Sequence, residues 1–154
     1  MQLYLMRHGE AEAASISGDE ARELTEKGRR DVQTMAEMLI RAGARPECIY
    51  TSPLTRARQT AEIVARLLGL VAQPDSRLRP GAKLGSVQRL VEELTSASML
   101  LVGHEPDMSS IVFHLTDGRI RMRTGGVARV DADRLEPGSG VLVWLASPEL
   151  FPVA

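Results

Sequence analysis

The sequence predicts one α/β domain over residues 1–154, a three-layer sandwich in which helices cover both faces of a mostly parallel central sheet. Short apolar runs alternate along the chain with longer stretches whose apolar residues recur at helical spacing. This alternation favours a parallel sheet, because each parallel strand needs a crossover to reach its neighbour. No linker, low-complexity tract or internal repeat divides the 154 residues, an ordinary length for one domain.

Each element follows from its local pattern. The run LYLM at 3–6 has no polar interruption, which is typical of a strand buried on both faces. In 25–43 apolar residues recur every three or four positions, with Thr25 placed to cap the first turn and Gly43 to end the helix. Pro53 suits the first turn of a second helix. In chain order we predict strand 3–6, helix 25–43, strand 48–52, a helix from Pro53 to Gly69, a short edge strand at 70–73, helix 84–95, a strand from 98 that ends at Gly103, helix 107–116, and two closing strands within 125–133 and 140–147.

Composition narrows the classes of function. Nineteen basic residues against twenty acidic ones leave a net charge of −1, which argues against a nucleic-acid binder that relies on a broad positive field. The single cysteine excludes an intramolecular disulfide and a cysteine-based zinc cage. No apolar run is long enough to cross a membrane, and the N-terminus lacks a signal-peptide pattern. We therefore expect a cytoplasmic protein with no nucleic-acid or membrane partner, and the sequence is compatible with a monomer.

Two histidine-bearing motifs lie where predicted strands end. The first strand runs directly into Arg7 and His8, and the strand that starts at 98 runs into His104. The helix after the second strand presents Arg56 near its first turn. Ligands of such sheets bind at the carboxyl ends of the strands, so we expect these side chains to meet at one edge.

Two arginines and two histidines at one edge predict a phosphate site. Guanidinium groups bind phosphoryl oxygens through two parallel hydrogen bonds, and a helix N-terminus adds free N–H donors. Gly9 is expected to let the backbone turn sharply and approach the ligand. A single histidine at a strand end is ordinarily structural, so the prediction depends on three segments coinciding.

Arg119, Arg121 and Arg123 alternate along the chain and share one face if that stretch is extended. A solvated edge is the plainest interpretation of this pattern.

Four motifs in order, RHGEAE, LTEKGRRDV, TSPLTRARQTAEI and LVGHEPDMS, resemble those of the histidine phosphatase superfamily, which has the phosphoglycerate-mutase-like fold. They extend from residue 3 to about residue 110. The short chain and the GHEP form are similar to the compact bacterial phosphohistidine phosphatases.

The resemblance implies that His8 is the nucleophile and is transiently phosphorylated before water hydrolyses the intermediate. It implies that Arg7, Arg56 and His104 form the phosphate pocket. No metal or cofactor is expected, because these residues supply the charge stabilisation that phosphoryl transfer requires.

The chain departs from the family in the loop PDSRLRPGAK at 74–83, where many members carry a glutamate that acts as general acid. Asp75 in this loop is expected to be a turn residue. Glu105 and Asp107 are alternative acids, although stabilisation of a helix N-terminus is their plainest role. An imidazole leaves more readily than an alkoxide, so a missing acid favours phosphohistidine over a phosphomonoester.

The sequence thus predicts a metal-independent phosphatase that acts on phosphohistidine in a partner protein. A first alternative is a small-molecule phosphomonoesterase with Glu105, Asp107 or Asp75 as its acid. A second is a non-catalytic phosphate-binding module. The presence of His8 argues against this alternative, because binding alone does not require a nucleophilic imidazole. An open pocket with rims at 14–24 and 74–83 suits a phosphorylated protein better than a small phosphorylated substrate, which needs burial for affinity.

Overall fold

The structure, a computed structural model, describes residues 1–152. Its strands and helices follow the predicted order closely. The strands are β1 (Gln2–Arg7), β2 (Cys48–Thr51), β3 (Ala72–Pro74), β4 (Ser98–Gly103), β5 (Val127–Ala132) and β6 (Gly140–Ala146), and the helices are α1 (Glu26–Arg41), α2 (Thr55–Leu68), α3 (Leu84–Leu94) and α4 (Asp107–Thr116).

The six strands form one sheet in the order β3-β2-β4-β1-β5-β6. The first four strands of that order are parallel, whereas β5 joins β1 and β6 joins β5 in antiparallel fashion. In the centre, Arg7 lies opposite Gly103 at the last pair of the β1–β4 register. The two strands therefore end side by side, and the residues that follow each strand emerge next to one another.

Helices cover both faces of the sheet. Tyr4 and Met6 point to the face covered by α1 and α2, and Leu3 and Leu5 point to the face covered by α3 and α4. Burial on both sides explains why β1 reads as an unbroken apolar run. The predicted three-layer sandwich with a mostly parallel sheet is confirmed.

Helix ends follow local chemistry. Thr25 Oγ1 accepts a hydrogen bond of 2.9 Å from the backbone N–H of the third residue of α1, as expected of an N-cap. Helix α2 begins at Thr55 rather than at Pro53, because Leu54 is still extended, with ψ of 141°, and occupies the N-cap position. Among residues 1–152, none of the helices combines the length and the hydropathy that a membrane crossing requires.

Two glycines let α1 approach the turn that follows β1. A Cβ at Gly28 would lie 2.1 Å from the carbonyl oxygen of Glu10, and one at Gly9 would lie 2.7 Å from Cγ2 of Val32. Neither space admits a larger residue without movement. This close contact between α1 and the turn positions His8, the residue directly before Gly9.

Candidate active site

The four side chains expected to form the site line one open pocket of about 340 Å³ at the carboxyl ends of the strands. Arg7 and His8 come from the end of β1, Arg56 from the first turn of α2, and His104 from the residue after β4. The structure therefore brings the three segments together. What these side chains do chemically depends on their hydrogen bonds and charges.

His8 and His104 face each other because β1 and β4 end in register. The backbone N–H of His8 donates to the carbonyl oxygen of Gly103 at 3.1 Å, which extends the pairing by one residue. The centroids of the two imidazole rings lie 5.2 Å apart. Both histidines are buried.

The protonation of His8 follows from its neighbour. Nδ1 lies 2.7 Å from the carbonyl oxygen of Gly9, and a carbonyl can only accept, so Nδ1 carries the proton. Burial, followed by the guanidinium groups of Arg56 and Arg7, lowers the pKa of His8 to about 4. His8 is therefore neutral near pH 7, with an unprotonated Nε2 that can act as a nucleophile.

His104 is held through its other ring nitrogen. Its Nε2 lies 2.8 Å from Oγ of Ser52, and that oxygen also accepts the N–H of Leu54 at 3.3 Å. A hydroxyl both donates and accepts, so this bond fits either tautomer of His104; where Ser52 donates to Nε2, the proton of the neutral ring lies on Nδ1. Burial lowers the pKa of His104 to about 3, so the ring stays neutral.

Three buried nitrogens in this pocket lack a partner. Nη1 of Arg7 donates to the carbonyl oxygen of Met122 at 3.1 Å, and Nη1 of Arg56 donates to that of Asp19 at 3.0 Å. Within the described residues, however, Nε of Arg7, Nε of Arg56 and Nδ1 of His104 have no hydrogen-bond partner. Buried donors ordinarily have acceptors. An oxyanion in the pocket would provide them.

Arg56 sits where a cation is electrostatically unfavourable. It lies in the first turn of α2, whose dipole repels positive charge, and burial lowers the pKa of its guanidinium. The Asp19 carboxylate, 3.5 Å from Nη2, stabilises the charged guanidinium, but this carboxylate is largely exposed. A bound dianion would offset the remaining cost.

Arg22 also lines the pocket, although sequence reasoning did not single it out. Its Nε donates to the Asp19 carboxylate at 2.9 Å, and its Nη1 donates to the carbonyl oxygen of Glu12 at 2.7 Å. The chain has seventeen arginines, so the residue type carries little information. Its position could have indicated it, because Arg22 lies in the loop predicted as a rim, two residues before the LTEKGRRDV motif.

Gly9 is not among the residues that line the pocket, although it lies between two that do, His8 and Glu10. Its N–H donates to Oγ1 of Thr60 at 3.0 Å, and its carbonyl oxygen accepts from Nδ1 of His8. The Thr60 hydroxyl in turn donates to the carbonyl oxygen of Arg56 at 2.8 Å. Gly9 thus holds the His8 ring and links β1 to α2, and its N–H is not free to bind a ligand.

The two acid candidates are placed differently. Glu105 lines the pocket, but its carboxylate accepts from both the N–H and the hydroxyl of Ser109, at 2.8 and 2.6 Å. Asp107 accepts the N–H of Gly81 at 2.8 Å and is not among the residues that line the pocket, and its role as the acid stays a prediction. Burial raises the pKa of the Asp107 carboxyl.

Within residues 1–152, no group of three or more His, Cys, Asp or Glu side chains is placed to hold a metal ion.

The two loops expected as rims meet across the pocket. Nη1 of Arg79 donates to the Glu20 carboxylate at 2.7 Å, which joins one loop to the other. Asp75 accepts the backbone N–H of Arg77 at 2.9 Å and pairs with its guanidinium at 2.7 Å, so it is a turn residue as expected. It does not line the pocket.

Comparison with known proteins agrees with this geometry. Residues 3–93 match the family model of the histidine phosphatase superfamily (branch 1). An uncharacterized protein of Picosynechococcus sp. is 38% identical over 136 residues, which cover 82% of each chain. A probable phosphoglycerate mutase, GpmB, of Serratia proteamaculans is 35% identical over 98 residues, which cover 62% of this chain and 45% of the mutase. The chain thus spans about half the length of that mutase.

Among solved structures, the protein histidine phosphatase SixA complexed with tungstate superimposes with a TM-score of 0.89 and 31% sequence identity. The superposition covers 99% of this chain and 100% of that one. The similarity therefore includes the whole fold and leaves no large insertion in either chain.

Proposed function

This chain belongs to branch 1 of the histidine phosphatase superfamily and is a phosphatase, and from that premise we propose that its substrate is phosphohistidine in a partner protein. The resemblance seen in the motifs, including that to the short phosphohistidine phosphatases, is confirmed by the matches to the family model and to SixA. What remains a proposal is the substrate, the roles of the individual residues and the covalent intermediate.

One observation carries the choice of substrate: the pocket holds unpartnered donors for a phosphoryl group but no free acid for a poor leaving group. Both carboxylates that line it are engaged, Glu10 by the hydroxyl of Thr25 at 3.1 Å and Glu105 by Ser109. A phosphomonoester needs a proton on its leaving alkoxide, whereas a protonated phosphohistidine ring leaves as neutral imidazole. Similarity along the whole chain to a protein histidine phosphatase supports the same substrate.

In the proposed first step, Nε2 of His8 attacks phosphorus in line with the leaving nitrogen. A new P–N bond to His8 forms while the P–N bond of the substrate breaks, and the leaving imidazole keeps the electron pair. The hydrogen bond from Nδ1 to the Gly9 carbonyl holds the ring in line and stabilises the positive charge that develops on it.

The unpartnered donors act on the equatorial oxygens. Guanidinium groups of Arg7 and Arg56 neutralise the charge of the transferring phosphoryl group, and His104 donates from Nδ1 while remaining neutral. Removal of one such donor from a preorganised site typically costs about 10² to 10³ in rate.

In the second step, water attacks phosphorus on phosphorylated His8. The P–N bond breaks, inorganic phosphate leaves with the protons of the water, and Nε2 regains its lone pair. The proposal includes no metal or cofactor, since the two arginines and His104 supply the charge stabilisation.

A small-molecule phosphomonoesterase is the second candidate, and the place of Glu105 on the pocket wall is what favours it. In that case the Glu105 carboxyl, released from Ser109, would protonate an alkoxide. Glu105→Gln would then abolish turnover of sugar and glycerate phosphates. For phosphohistidine we expect the same variant to change kcat less than threefold.

The decisive experiment compares substrates and histidines together. A histidine protein phosphorylated with potassium phosphoramidate, a panel of sugar and glycerate phosphates, and p-nitrophenyl phosphate are tested with the wild type, His8→Ala and His114→Ala. His114 is the matched control, because it is exposed on α4 and outside the pocket. We expect fastest turnover of the phosphohistidine protein, an acid-labile radiolabel on the wild type and His114→Ala, and neither in His8→Ala.

Faster turnover of a sugar phosphate than of the phosphohistidine protein would contradict the proposed substrate. Activity that persists in His8→Ala would contradict the mechanism.

A further inference from the structure

A row of exposed arginines leads to the pocket along residues 119–123, which we call the arginine strap. This segment lies between α4 and β5 and belongs to neither a helix nor a strand. Arg119, Arg121 and Arg123 are exposed, whereas the side chain of Met122 is completely buried in the core. The chain therefore alternates as an extended segment does, with its three guanidinium groups on the outer side.

The strap is fixed against the active site through Met122. The N–H of Met122 donates to Oγ of Ser109 at 3.0 Å, and its carbonyl oxygen accepts from Nη1 of Arg7 at 3.1 Å. Thr124, the residue after the strap, lines the catalytic pocket. At about 3.3 Å per residue, the far end at Arg119 lies within about 17 Å of Thr124.

Most of the positive charge of the strap is not used by the fold. Within residues 1–152, Arg119 and Arg121 form no ion pair and no hydrogen bond through their guanidinium groups, and Arg123 has one exposed pair, with Glu149 at 3.6 Å. By contrast, Arg77 and Arg129 are held by carboxylates at 2.7 and 2.9 Å. Like charges in a row repel one another, and an acidic surface outside the domain would offset this repulsion.

We propose that the arginine strap docks an acidic surface of the phosphorylated partner protein beside the pocket, so that the phosphohistidine of that protein reaches His8. The inference rests on the proposed function and adds the chemistry that selects the partner. Charge complementarity of this kind raises the association rate and orients the encounter, and it weakens with salt. A protein is favoured over a nucleic acid because the chain has a net charge of −1 and residues 119–123 include no aromatic side chain on which a base could stack.

The test uses two phosphohistidine peptides of equal length, phosphorylated with potassium phosphoramidate. One has aspartate and glutamate around the phosphohistidine, and the other has serine and asparagine at the same positions. For the wild type at low salt we expect kcat/KM for the acidic peptide to exceed that for the neutral peptide by about tenfold or more. We expect the difference to disappear in 0.5 M sodium chloride, an ionic strength at which charges about 4 Å apart are already screened.

The charge-reversed variant Arg119→Glu/Arg121→Glu should lose the preference for the acidic peptide and keep wild-type turnover of p-nitrophenyl phosphate. Its matched control is Arg30→Glu/Arg89→Glu, which changes the net charge equally at two exposed helix positions outside the pocket. The control should keep the preference. Fluorescence anisotropy with His8→Ala measures docking of the same labelled peptides without turnover.

Equal kcat/KM for the two peptides, or a preference that survives in Arg119→Glu/Arg121→Glu, would overturn the proposed docking surface. Tight binding of a single-stranded oligonucleotide that depends on the same two arginines would also overturn it. Wild-type turnover of p-nitrophenyl phosphate but of neither peptide would instead overturn the proposed substrate. The anisotropy measurement then still decides on docking, because equal affinity for the two peptides would exclude it.

Discussion

Oγ of Ser52 lies 2.8 Å from Nε2 of His104, across the ring from the unpartnered Nδ1. Ser52 is itself fixed, because its backbone N–H donates to the carbonyl oxygen of Val102 at 3.0 Å. The start of the SPLTRA motif and the GH motif are therefore joined by one hydrogen bond. Where Ser52 donates in this bond, the proton of the neutral His104 ring lies on Nδ1.

Ser52→Ala should reduce kcat by about 10- to 100-fold while the fold is retained. Without the hydroxyl, Nε2 of His104 is left buried without a partner, at a cost of about 1–3 kcal/mol, and the ring can adopt the other tautomer. Steady-state kinetics together with ¹⁵N NMR of the ring nitrogens check this. Ser98→Ala is the control, because the Ser98 hydroxyl is buried but has no hydrogen-bond partner within the described residues. Equal losses in both variants would contradict the assigned role of Ser52.

Arg56→Ala should lower kcat/KM by about 10² to 10³, since it removes a buried guanidinium from the pocket. Arg58 lies two residues further along the same helix, is exposed, and donates to the carbonyl oxygen of Pro53 at 3.1 Å. Arg58→Ala should therefore leave kcat/KM within about twofold of the wild type. Activity assays on p-nitrophenyl phosphate compare the two. A similar loss in both would mean that net charge, rather than placement, is what matters.

Gly28→Ala should lower the free energy of unfolding by about 1–3 kcal/mol or more, because its Cβ would lie 2.1 Å from the Glu10 carbonyl oxygen and would push α1 away from the His8 turn. At Gly85 in α3 the nearest atom to an added Cβ is Nη1 of Arg89 at 3.7 Å. Gly85→Ala should be neutral or stabilise by up to about 1 kcal/mol. Urea unfolding at pH 7 measures both, and a harmless Gly28→Ala would contradict the close contact.

The free energy of unfolding should fall as the pH is lowered from about 6.5 to about 4. In the fold the pKa of His8 is about 4 and that of His104 about 3, against an ordinary value of 6.5, so in this range the unfolded chain binds protons that the folded chain does not. Stability is therefore complete above pH 6.5 and is lost progressively below it. For His8 alone the loss amounts to about 3 kcal/mol by pH 4, at about 1.4 kcal/mol per unit of pKa.

Urea unfolding at pH 7, 6 and 5 tests this dependence. His8→Gln should reduce the pH dependence to the part that His104 contributes, and His114→Gln, at an exposed position, should leave it unchanged. In the same range kcat/KM should stay level and should decline only below about pH 4, where His8 becomes protonated. A decline centred on pH 6.5 would mean that burial does not lower the pKa of His8.

Much of the fold could be predicted because its signals are local. The apolar run of β1, the Thr25 cap of α1 and the glycine at the end of α2 each lie within the element that they define. The pocket could be predicted in outline for a similar reason. Parallel strands end at the same edge, so His8 and His104 had to emerge together once both were assigned to strand ends.

The hydrogen bonds of Gly9 and Asp107 could not be predicted, because each is made with a residue elsewhere in the chain, and the place of Arg22 on the pocket wall could not be predicted either. Gly9 uses its N–H on Thr60, Asp107 uses its carboxylate on Gly81, and the motifs assign Arg22 no role. The local sequence does not show whether a carboxylate at the start of a helix faces the pocket or a neighbouring loop.

By itself the sequence determined the order of strands and helices, the strand ends that carry the two histidines, and the family. Only the tertiary structure decided which nitrogen of His8 is protonated and which buried nitrogens of the pocket lack a hydrogen-bond partner. The physical reason is the separation along the chain of the residues that interact. Periodicity and caps act within a few residues, whereas Nε2 of His104 is held by Ser52, fifty-two residues away in the chain and 2.8 Å away in space.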